Sequence, residues 1–92
     1  MDIQNPLYQN LNSSLTDIVS DKLGVAKDKI NLASLLVDDL GADSLDQVEL
    51  IMSIEDKYKI EVPDADAEKI KSYRDVLHYI IFKSDEYKLL RS

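Results

Sequence analysis

The chain has 92 residues with no cysteine, 45% hydrophobic and 32% charged residues, and a net charge of −7. That length suits one small domain with one core, and the composition is that of a folded domain; disulfides, thiolate chemistry and cysteine-based zinc sites are excluded. The charge is local: from Asp38 to Glu68 eleven acids face two lysines, giving −9, so nucleic acid phosphates and anionic head groups are repelled and proteins with basic patches attracted.

The start, Met1 to Pro6, has neither a basic nor an apolar run, and no stretch of about 18 apolar residues occurs, so the expectation is a cytoplasmic protein without membrane insertion. Asn5-Pro6 reads as an N-cap and first helical residue. Leu7, Leu11, Leu15, Ile18, Val19 and Leu23 then follow at helical spacing until Gly24, which predicts a helix over Pro6–Leu23. Val25 to Asp43 has no clean period. It reads as a long loop with room for one helical turn, anchored by Ile30, Leu32, Leu35, Leu36, Val37 and Leu40, and a loop of that length is usually functional.

A second helix is predicted from Ser44 or Leu45 to about Tyr58. Glu61-Val62-Pro63-Asp64 reads as an extended lead-in with Asp64 as N-cap of a short helix through Ala67 to Ile70. Ser72 caps a last helix that buries Tyr73, Val76, Leu77, Ile80 and Ile81, while Phe82 to Ser92 either extends that helix or frays. No segment alternates with period two. The expected fold is all-α, a small four-helix bundle of three longer helices and one short, with a long first loop, as a single domain whose core spans about residues 6–82.

On the second helix, Leu50, Ile51, Ile54 and Tyr58 share an arc of about 100°, the width of a core-facing stripe. Leu45 and Met52, with Val48 nearby, fall on the other side among Glu49, Glu55 and Asp56. Apolar anchors set among carboxylates suit transient protein docking; alternatively Leu45 and Val48 pack under the long loop.

Ser44, in Asp39-Leu40-Gly41-Ala42-Asp43-Ser44-Leu45-Asp46, also has two readings. As the start of an S-x-x-Q capping box with Gln47 it is a structural cap, whose loss would cost about 0.5–2 kcal/mol. As a hydroxyl without its own His or Lys partner it is an attachment point for chemistry supplied from outside, and a phosphoester there would meet the positive end of a helix.

That octapeptide, with Val48-Glu49-Leu50, Val62-Pro63-Asp64 and Ala67-Glu68-Lys69-Ile70, closely resembles the acyl carrier proteins of type II fatty acid synthesis over roughly Leu11 to Ile81. The resemblance implies a non-enzymatic carrier of fatty acyl chains, and the chain is expected to be a monomer. Ser44 would be esterified by 4′-phosphopantetheine from coenzyme A, and cargo would ride as a thioester on the arm's thiol. By the same resemblance Asp43 helps bind the phosphopantetheinyl transferase and its metal, while Leu45, Asp46, Val48, Glu49, Met52, Glu55 and Asp56 form the recognition helix for that transferase and for synthesis enzymes with basic patches. The longer amino-terminal lead and the tail from Phe82 depart from the family pattern.

An acyl slot is expected where Leu50 and Ile54 meet Val62, Ala67 and Ile70. A calcium loop starting at Asp38 fails, because Leu40 and Ala42 occupy ligand positions and Asp43 replaces the required glycine; only weak, nonspecific divalent binding by the clustered acids is expected. His78 reads as a surface or boundary residue, and Tyr58, Tyr73 and Tyr79 read as core or rim. The other functions open to the sequence are a polyketide or D-alanyl carrier and an unmodified acidic adaptor.

Overall fold

The computed structural model describes residues 2–91; Met1 and Ser92 lie outside the described residues. Four α-helices form in chain order: α1 Pro6–Leu23, α2 Ser44–Tyr58, α3 Asp64–Ala67 and α4 Tyr73–Lys83. Two 3₁₀ segments, Lys27–Lys29 and Asp85–Leu90, complete the chain. No strand occurs among the described residues, only a single antiparallel bridge between Leu35 and Ser72.

The boundaries of α1 follow from its ends. Asn5 accepts the Leu7 amide at 2.9 Å, Pro6 opens the first turn, and Gly24 at φ +66° closes it by donating to the Ser20 carbonyl. Tyr8, Leu11, Leu15 and Val19 form the buried stripe of α1, Leu50, Ile54 and Tyr58 that of α2, and all five expected residues that of α4. A polar seam crosses this core: the Tyr73 hydroxyl meets Thr16 Oγ1 and Asn12 Oδ1, and Tyr58 meets Ser14 at 3.0 Å.

The long loop is pinned rather than loose. Leu36 donates to the Lys71 carbonyl, Tyr73 to that of Ser34 and Arg74 to that of Leu32, so residues 32–36 run along the start of α4. Of its six expected anchors, Leu36 and Leu40 are buried and Ile30 and Leu32 half-buried, but Leu35 and Val37 are exposed. Pairing of extended backbone with residues 71–74 alternates the side chains in and out, which sends Leu35 outward.

Two local expectations are corrected. α3 is one turn that stops at Ala67, and its N-cap is Pro63, not Asp64. The tail does not fray: Tyr87 and Leu90 are buried, Tyr87 meets Tyr58 edge-on at 6.0 Å, and Arg91 donates to the carbonyls of Ile81 and Ser84. The tail thereby packs against α1, α2 and α4.

Candidate functional site

Ser44 lies at the start of α2, but it is not the cap. Asp43, extended at φ −92° and ψ −177°, takes that position; its carboxylate accepts the Asp46 amide at 2.8 Å while Asp46 accepts the Asp43 amide at 3.1 Å. A carboxylate at the N-cap both accepts the amide and answers the helix dipole, so aspartate displaces serine from the role. Ser44 becomes the first helical residue, exposed, and among the described residues its hydroxyl has no hydrogen-bond partner. Gly41, at φ +72°, turns the chain just before it.

This arrangement also revises the anion site. Two of the orphan amides at the helix start are already taken by carboxylates, and the Gln47 amide reaches the Asp43 carbonyl. Among the described residues only the Ser44 and Leu45 amides there lack an acceptor. An exposed, unengaged hydroxyl with two free amides beside it fits a phosphodiester leading to an arm.

The expected docking residues separate into two groups. Leu45, Val48 and Met52 are 65%, 55% and 60% exposed, and Asp43, Glu49 and Asp56 are exposed with them, so the apolar residues do not pack under the loop. Asp46 and Glu55 are half-buried and engaged: Asp46 in the capping box, Glu55 by accepting the Val62 amide at 2.9 Å.

A half-open groove of about 610 Å³ runs from Ser44 between α2 and α3. Leu50, Val62, Ala67 and Ile70 line it as expected; Ile54 does not, being 2% exposed in the core. The sequence reading missed Leu36, Gln47 and Ile51 as lining residues. The spacing Ser44, Gln47, Ile51, Glu55 is a helical stripe leading from the serine, and it carried that information. Among the described residues no group of three or more acids and histidines is placed to hold a metal ion.

An exposed serine, an acidic helix and a groove that begins at the serine and is walled in part by Leu50, Val62, Ala67 and Ile70 suit a carrier. Comparison with known proteins agrees. The family model described as the phosphopantetheine attachment site matches residues 13–80. The acyl carrier protein of Clostridium acetobutylicum is 50% identical over 70 residues, 76% of this chain and 91% of that protein. The chain belongs to the acyl carrier protein family. The carrier of Chloroherpeton thalassium is 54% identical over 67 residues, 73% of this chain and 84% of its own. A solution structure of the apo doublet acyl carrier protein from prodigiosin biosynthesis shares the fold, at a TM-score of 0.76 and 24% identity, covering 87% of this chain and 38% of that longer one.

The protein is thus a carrier modified by phosphopantetheine, which works with a phosphopantetheinyl transferase and acyl-handling enzymes. When bound, that group supplies the thiol that this cysteine-free chain lacks. No helix among the described residues is long and apolar enough to cross a membrane.

Proposed function

We propose that Ser44 carries the phosphopantetheine arm and that the protein bears growing fatty acyl chains, in the cytoplasm, between the enzymes of fatty acid synthesis. The observation that supports this best is the groove that starts at Ser44 and is walled by Leu50, Val62, Ala67 and Ile70, an environment for an aliphatic chain. A short aminoacyl cargo has few methylenes to bury against those apolar side chains, whereas each buried methylene of a fatty acyl chain contributes up to about 0.8 kcal/mol.

In this reading the chain's own residues hold and present the hydroxyl. Gly41 and the Asp43–Asp46 box fix its place at the helix start, and its lack of an internal partner leaves it free for a base supplied by the transferase. Leu45, Val48 and Met52 offer apolar anchors to partner enzymes, and Asp43, Glu49 and Asp56 steer basic patches toward them.

The test is intact mass after incubation with a transferase, coenzyme A and Mg²⁺. The unsubstituted chain should gain one arm and Ser44→Ala none; an arm on the alanine variant would refute the assignment. For the cargo, octanoyl protein should melt above the protein bearing the arm alone, and Ala67→Trp, which fills the groove, should cancel the gain. Equal melting temperatures would place the chain outside the groove.

A further inference from the structure

The outer wall of the groove is weakly built. α3 is a single turn with no side-chain cap and no fully buried residue. It presents Asp64 and Ala67 to the groove and turns Asp66 toward α4. Besides the buried Val62 and Ile70 that flank the turn, three side-chain contacts tie this segment to the bundle. On the α2 side Glu55 accepts the Val62 amide just before the turn; on the α4 side the Tyr79 hydroxyl donates to Asp66 Oδ2 at 2.6 Å, with a longer contact of 3.4 Å to the Glu61 carbonyl. Tyr79 is itself held, its ring half-buried and Lys83 Nζ 5.5 Å from its centroid. A short bond to a carboxylate is stronger than a neutral one, and here it acts on a turn that buries none of its own four residues.

We propose that Tyr79 is a positioning residue for the cargo: its hydroxyl, through Asp66, holds α3 back against α4 and so keeps the groove formed before a chain enters. A wall held in place spares the cargo the cost of ordering it, and retention of the chain rises accordingly. The role in retention rests on the groove being the cargo site; the hold on α3 does not.

The two are tested separately. In the unloaded protein the amides of Glu68, Lys69 and Ile70, which donate to the carbonyls of Asp64, Asp66 and Ala67, report on the wall by hydrogen exchange. Tyr79→Phe should speed their exchange roughly 3- to 10-fold, Asp66→Ala should do the same, and the double variant should add nothing further. Asp66→Asn, which keeps an acceptor oxygen, should recover part of the protection. Ser14→Ala removes the bond to Tyr58 and serves as the stability control; it should leave these amides unchanged. With a solvatochromic octanoyl analogue on the arm, emission should move toward its value in water in Tyr79→Phe but not in Ser14→Ala. Unchanged exchange in Tyr79→Phe overturns the proposal. Water-like emission already in the unsubstituted protein overturns the groove reading and the retention role with it, and faster exchange alone would then support only the hold on α3.

Discussion

At the residue scale, the helix start separates two jobs that adjacent residues share out. Asp43 caps and Ser44 is left free, so their alanine variants should behave in opposite ways. Asp43→Ala should lower stability by about 1 kcal/mol in denaturant melts, while Ser44→Ala should stay within about 0.5 kcal/mol of the unsubstituted chain despite losing modification. This choice was not legible in the sequence, because S-x-x-Q at 44–47 and D-x-x-D at 43–46 both fit a capping box and only the backbone at Asp43 decides between them. The other end of α2 holds a second departure from local preference. Lys59 closes the helix at φ +57°, the left-handed region where a residue with a Cβ is strained. Lys59→Gly should therefore stabilise the fold by about 0.5–1 kcal/mol, net of the flexibility glycine adds to the unfolded chain. A fall in the denaturation midpoint would show that the lysine side chain offsets its strain.

At the element scale, legibility followed periodicity. α1, α2 and α4 carry apolar residues at i, i+3 and i+4 over three turns or more, and their ends are marked by Asn5, Gly24 and Ser72, so the sequence located them closely. α3 and the tail are too short for a period to establish itself. Of the tail's apolar side chains Tyr87 and Leu90 are buried while Phe82 and Leu89 are exposed; the aromatic partner of Tyr87, Tyr58, is distant in sequence, and Arg91 holds backbone carbonyls, which no side-chain pattern reveals. These contacts bring Ser84, Tyr87 and Leu90 into the core although they lie beyond residues 13–80, the stretch that matches the family. Tyr87→Ala should accordingly destabilise by about 3–5 kcal/mol, the range for a buried aromatic. A loss below about 1 kcal/mol, the size of a surface change, would mean that the segment rests on the bundle without supporting it.

At the scale of the whole molecule, charge and buried hydroxyls set the conditions for stability, and the acidic surface sets the kinetics of association. Burial pushes the Tyr73 hydroxyl up to about 12 despite its bond to Thr16, and burial likewise raises Tyr58 and Tyr87 above their ordinary value of 10.0. A folded-state value above the unfolded one means that the contribution is complete below pH 10 and is lost as pH rises through 10 to 12. Unfolding free energy should fall across that window, and Tyr73→Phe should flatten the fall; equal slopes would assign alkaline unfolding to other groups. Acidity acts at neutral pH. Glu49 and Asp56 are exposed and, among the described residues, make no hydrogen bond or ion pair, so reversing both to Lys leaves the packing untouched while removing part of the field from a chain of net charge −7. The melting temperature should hold or rise slightly as self-repulsion eases. Association with the transferase should slow by about tenfold at low salt, with the difference shrinking as ionic strength increases, because charges this exposed act over a screened distance of about 10 Å. Met52→Ala removes an apolar anchor instead, and its effect belongs in faster dissociation. Stopped-flow rates separate the two: an association rate unmoved by the reversals at low salt would remove the acidic face from docking, and unmoved dissociation in Met52→Ala would remove the anchor.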